Sequence, residues 1–71
     1  MDKYIINQNA QSTGEHEVHK EIICPTLPLP ENRVLIGYFS SCRDATMSAR
    51  SQWPNATIDG CENCIPTCHT R

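Results

Sequence analysis

Long apolar runs are missing from this chain. After Met1-Asp2-Lys3-Tyr4 only the pair Ile5-Ile6 follows, so the roughly 7–15-residue apolar core of a secretory signal is absent. Nothing approaches the ~20 apolar residues that a membrane-spanning helix requires. With an initiator Met in place, these absences predict a whole translation product located in the cytoplasm, with no membrane partner. Positive charge is also scarce. Six Lys and Arg stand against eight Asp and Glu, for a net charge of −2, and the six are scattered at positions 3, 20, 33, 43, 50 and 71. No basic row is available to neutralise successive phosphates, which speaks against nucleic acid as a partner. Aromatic side chains are few: one Trp, two Tyr and one Phe in 71 residues. A single domain, residues 1–71, is therefore expected to have a thin core. Chains of this size seldom offset their own conformational entropy by burial alone and rely on a disulfide, a metal or a partner.

Five cysteines and three histidines supply the means. In a reducing compartment thiols stay reduced, and clustered cysteines favour metal over disulfides. Five is also odd, so a full disulfide framework leaves one thiol over. A metal staple is the favoured expectation.

The chain is punctuated into short segments. Residues 3–7 read as a strand around Tyr4, Ile5 and Ile6, and residues 9–14 as a polar turn ending in Gly14. Residues 15–23 alternate loosely, with Val18 and Ile22 on one parity and Glu17, His19 and Glu21 on the other, as in a half-buried strand. Prolines at 25, 28 and 30 make residues 24–32 a stiff loop. Arg33–Phe39 is the clearest strand, rich in β-branched and aromatic side chains. Ser41 followed by Asp44 has capping-box spacing and predicts a helix over Cys42–Gln52, stopped by Pro54. Its packing face would carry Cys42, Ala45, Ala49 and Trp53. Residues 55–60 then read as a loop leading into a cysteine-rich tail. The expected fold is α+β: a small zinc-stabilised domain with a three-stranded antiparallel sheet, one short helix and that tail.

The strongest chemical signal is Cys61-Glu62-Asn63-Cys64. Two thiolates two residues apart reach one tetrahedral ion from a tight turn, and the preceding Gly60 is expected to ease the backbone angles of that turn. A redox reading of the same motif asks for a helix N-terminus to stabilise a thiolate; Pro66 and the nearby chain end offer none. Cys24 is the natural third ligand. His19, Cys42, Cys68 and His69 compete to be the fourth. His19 and Cys24 would stand roughly 16 Å apart on an extended strand, so a shared ion requires a sharp bend near residues 22–24. Cys42, on the inferred packing face, is expected to be a buried apolar residue, and His16 a surface histidine. A site that joins Cys24 to the tail closes a long loop and contributes most to folding.

The order of hairpin with His19 and Cys24, proline-rich turn, Asn32-Arg33-Val34 strand, Phe39-Ser40, alanine-containing helix and Cys61-x-x-Cys64 resembles the Ada-type metal-binding domain, the small zinc domain of a DNA-repair methyltransferase and of nuclease-associated relatives. The resemblance implies zinc held by His19, Cys24, Cys61 and Cys64. The His-x4-Cys spacing is one residue longer than is usual in those relatives, and Cys42, Cys68 and His69 have no counterpart there. The expected function is a stand-alone structural zinc domain acting as a binding or regulatory module; the residues leave enzyme activity undecided, leaning against it, and leave the partner unknown, with a protein as the candidate. The alternatives are a thiol-based redox protein using the C-terminal cysteines and a disulfide-stapled secreted protein, in which Asn55-Ala56-Thr57 would accept a glycan.

Overall fold

Tyr4, Ile5 and Ile6 form the middle of the strand on which the rest of the sheet is built. A computed structural model describes residues 1–70, and in it β1 (Asp2–Asn7) has a neighbour on each side. β2 (Glu15–Lys20) and β3 (Arg33–Phe39) both pair with it antiparallel. Because β1 is packed on both faces, its three apolar residues are all at most 4% exposed.

The sheet has four strands, in the order β3-β1-β2-β4, and is mixed rather than three-stranded and antiparallel. The added strand, β4 (Thr57–Gly60), lies where a loop is expected. Its direction follows from the helix before it. α1 (Cys42–Gln52) carries the chain from the end of β3 back to the end of the sheet where β3 began, so the next strand runs the same way as β3 and hence parallel to β2. Only Ile58 is apolar in β4. Pairing with β2 and burial against α1, not local propensity, make it a strand.

α1 begins and ends as its sequence dictates. Ser41 Oγ accepts a hydrogen bond from the Asp44 backbone N–H at 3.2 Å, and the helix stops ahead of Pro54. Ala45 and Ala49 are fully buried, which lets the helix sit close on the sheet, while Cys42 and Trp53 flank them half-buried. The side chains beneath are Tyr4, Ile6, Val18, Ile36 and Ile58. Ile36 reaches this core through a bulge: Tyr4 pairs with Gly37 and Ile5 with Leu35, leaving Ile36 as the extra residue, and Gly37 takes φ +153° there.

The opposite face of β2 carries Glu15, Glu17 and His19 at alternate positions. The proline loop and the tail border it. Arg33 Nε donates to the Pro28 carbonyl at 2.8 Å and holds the loop to β3. Asn63 Nδ2 donates to Thr26 Oγ1 at 3.0 Å and joins the tail to the loop. β2 ends at Lys20 rather than at residue 23; the backbone N–H groups of Ile23 and Cys24 both donate to the Lys20 carbonyl, closing a turn. Ile22 consequently points to solvent, 81% exposed, instead of sharing the parity of Val18.

Candidate metal centre

The parallel register of β2 and β4 brings the first two donors together. Val18 pairs with Gly60, and the Cys61 N–H donates to the Val18 carbonyl at 2.9 Å, so His19 and Cys61 leave their strands side by side. The Ile65 N–H donates back to the Cys61 carbonyl at 2.9 Å, tightening the Cys61–Cys64 segment into a turn. The turn after Lys20 supplies the sharp bend that a shared His19–Cys24 site requires, and it delivers Cys24. The ligand atoms of His19, Cys24, Cys61 and Cys64 all lie within 4.8 Å of one another, and all four residues are buried. This group could hold a metal ion. Nδ1 of His19 is 3.3 Å from Cys24 Sγ, and Cys24 Sγ is 3.7 Å from Cys61 Sγ. That separation is far longer than the ~2.05 Å of a disulfide.

The electrostatics suit a cation. Burial, aided by the Arg33 charge, lowers the pKa of His19 to about 4, so its imidazole is neutral at ordinary pH and has a lone pair to give. Burial raises the Cys24 thiol, but hydrogen bonds from Cys64, Thr26 and Cys61 outweigh it and hold Cys24 below the usual thiol value. Burial pushes the Cys64 thiol well above that value, and the hydrogen bond to Cys24 adds to the effect. Cys24 and Cys64 therefore titrate as a pair. One thiolate is stabilised by its neighbours; three together need a positive ion among them.

The other contenders for fourth ligand are engaged elsewhere. Cys42 and Cys68 form a disulfide, with Cα atoms 6.3 Å apart and 26 residues between them in sequence. Cys42 is thus half-buried and bridged, not a buried free thiol. The odd cysteine count resolves as one bridge plus three free thiols, Cys24, Cys61 and Cys64. Nδ1 of His69 donates to the Gly60 carbonyl at 2.9 Å and lies 3.2 Å from Asp59 Oδ2. His16 is half-buried beside the Asn7 carbonyl, 3.0 Å from its Nδ1, rather than free on the surface. Gly60 also has a different role from the one expected. Its φ is not positive; instead a Cβ there would stand 2.7 Å from the Cys68 carbonyl oxygen, so glycine lets the tail pack against β4.

Neither a protein-family model, nor a curated protein, nor a solved structure matches this chain. Four protein donors, all buried, could fill a tetrahedral coordination sphere. Two neighbours escaped the reading of the sequence. Thr26 Oγ1 lies 3.6 Å from both Cys24 Sγ and Cys61 Sγ and can donate to one thiolate. Glu17 Oε1 lies 4.0 Å from His19 Nε2, on the far side of the ring from the thiols. Glu17 shares the β2 parity of His19, and that pattern could have pointed to it. Thr26 sits on an irregular loop and left no such signal. Among the described residues no helix is long and apolar enough to cross a membrane.

Proposed function

We propose that this chain is a small cytoplasmic zinc domain in which His19, Cys24, Cys61 and Cys64 hold one structural ion, and that it serves as a binding or regulatory module rather than an enzyme. The observation that carries the reading is the convergence of those four donors from three separate segments. Two of their separations fit zinc or another tetrahedral ion of similar size. Ligands around a tetrahedral zinc at ~2.3 Å for sulfur and ~2.0 Å for nitrogen stand about 3.7 Å apart for two sulfurs and about 3.5 Å for a sulfur and a nitrogen. The distances found are 3.7 Å and 3.3 Å. Three thiolates with one imidazole also favour a borderline-soft cation over magnesium or calcium. The likeness to the Ada-type metal-binding domain points to the same ligand set. Its methyl-accepting chemistry is not carried over, because the chain has no basic row to hold DNA. The test is metal analysis of protein purified without added metal. About one equivalent of zinc is expected, and less than about half an equivalent would count decisively against the proposal.

A second reading is favoured by one observation, the Cys42–Cys68 disulfide. Such bridges persist in oxidising compartments, which would make this a secreted protein carrying both a bridge and a metal. Intact mass under non-reducing conditions separates the cases. Zinc bound with no hydrogen lost fits the cytoplasmic domain, whereas loss of one hydrogen pair with zinc bound fits the secreted reading of one bridge plus a metal site. Loss of two pairs without zinc means that the free thiols have paired and the metal proposal fails.

A further inference from the structure

The face of β2 that leads away from the metal centre borders an open cleft of about 770 Å³. Its walls include Glu15 and Glu17 from β2 and Glu62 from the turn after β4, with Asn63 and Gln11 among the neutral groups between them. No lysine or arginine lines it among the described residues. The nearby basic side chains are spent elsewhere: Lys3 and Arg33 on Glu21, Lys20 on Asp2, and Arg50 on the Ile58 carbonyl. His69 is the one cleft residue other than His19 that can carry positive charge, and it faces Asp59 and Glu62.

Glu15 gives this cleft its meaning. It is 4% exposed, its Oε1 accepts from the Thr13 hydroxyl at 2.7 Å, and its Oε2 has no donor at all. Burying a carboxylate oxygen without a donor is unfavourable, and buried polar groups are otherwise almost always paired. Glu15 lines the cleft, so a donor seated there would satisfy that oxygen. A compact divalent ion does not fit the role. The cleft carboxylates do not converge on a common point, and among the described residues the one group of His, Cys, Asp and Glu donors that does converge is the thiol–imidazole site. Spread acceptors with intervening amides and hydroxyls suit a larger cation with several N–H donors.

We propose that the cleft between β2, the proline loop and the tail is a binding site for an organic cation, the guanidinium or ammonium group of an Arg or Lys side chain on a partner polypeptide, seated with a donor on Glu15 and its charge against Glu17 and Glu62. The inference does not depend on the zinc reading. If that reading holds, three thiolates and one divalent ion leave the centre with a net charge of −1, so a loaded metal places no positive charge on the cleft wall.

The experiment follows backbone amide shifts of the intact protein, with its metal content measured, during titration with N-acetyl-arginine methylamide, its lysine counterpart and the uncharged citrulline analogue. Saturable shifts at Glu15, Glu17, Glu62 and Asn63 are expected for the cations, with the citrulline analogue about ten-fold weaker or more. Glu15→Gln should weaken cation binding about ten-fold, and Glu62→Gln, at an exposed position that cannot threaten the fold, about three-fold. The proposal is overturned by no saturable shift up to about 10 mM, by equal binding of citrulline, or by unchanged affinity in Glu62→Gln. Cation binding by folded protein without metal would retain this inference and remove the zinc proposal. Failure of zinc-loaded protein to bind would do the reverse.

Discussion

Removing the Cys42–Cys68 bridge should cost the fold a defined amount without emptying the metal site. The bridge joins the first residue of α1 to the tail and closes a 26-residue separation. Constraining the unfolded chain by such a loop is worth about 3.5 kcal/mol at 25 °C in the chain-entropy account. Unfolding entropy near 2.1 cal/mol/K per residue amounts to about 0.15 kcal/mol/K for 71 residues, so the midpoint should fall by about 20 °C. The variant is Cys42→Ala/Cys68→Ala, melted by circular dichroism at fixed zinc beside the parent with and without reductant. Reduced parent and variant should agree, since both lack the same constraint. Zinc content should stay unchanged, because neither cysteine is among the four converging donors. A fall of less than about 5 °C would show that the tail is held without the bridge and refute the loop argument. Loss of zinc on reduction alone would show that the two clamps are one.

Other expectations concern the tail and the ring of His19. Gly60→Ala places a Cβ within 3 Å of the Cys68 backbone, where nothing flexible can yield, and should cost about 1–3 kcal/mol in denaturant unfolding; a neutral effect would mean that the tail does not pack there. Burial opposes ionisation of Asp59, but the Thr70 and Gly60 hydrogen bonds outweigh it and hold its pKa below the usual carboxylate value. His69 is raised by the Gly60 carbonyl and, against some desolvation, by Asp59 and Glu62. The signs follow: the Asp59 contribution is present above the unfolded carboxylate pKa and is lost as pH falls through its lowered value, whereas that of His69 is present below the unfolded imidazole pKa and is lost as pH rises through its raised value. Both act together between about pH 4 and 6.5, and an NMR titration should find His69 above the ordinary histidine value and falling in Asp59→Asn; a His69 unmoved by that change contradicts the pairing. Glu17→Gln removes the carboxylate facing His19 Nε2 and should weaken metal affinity about ten-fold in chelator competition with the fold intact; equal affinity would show that the ring needs no such partner.

Much of this architecture was legible from residue types at particular positions. Ser41 and Asp44 marked the start of α1, Pro54 marked its end, and the apolar cores of β1 and β3 announced themselves. The bend between His19 and Cys24 could be demanded on distance alone. β4 could not be read, because Thr57-Ile58-Asp59-Gly60 has one apolar residue and two poor strand formers. Its strand character comes from where α1 returns the chain, which is tertiary information. The Cys42–Cys68 bridge was hidden for the same reason. Helical spacing placed Cys42 beside Ala45 and Ala49, but what lies over the first turn of α1 depends on the path of the tail. The hairpin and the CxxC motif thus spoke for the metal centre in local sequence, while the strand that puts His19 beside Cys61 did not.

The parallel β2–β4 pair also explains why two kinds of clamp are needed. β4 is four residues long, at a sheet edge, and followed by a tail whose only regular element among the described residues is the short 3₁₀ turn Pro66–Cys68. Of the side chains buried to 2% exposure or less, His19, Asp59 and Cys61 are polar or sulfur-bearing, and they sit on or beside this pair. If the donor group holds a metal, removing it leaves His19 and Cys61 buried without their partner, and reducing the bridge frees the far end of the tail. Apolar burial remaining under α1 rests on two alanines, one tyrosine, one valine and a few isoleucines, too little to offset the entropy of ordering the chain. Chelation in reductant should therefore abolish the sigmoidal thermal transition and collapse amide exchange protection throughout the sheet, whereas either treatment alone should do less. A cooperative transition surviving both treatments would mean that the apolar core suffices, and the thiol cluster would then be no more than a buried set of small side chains.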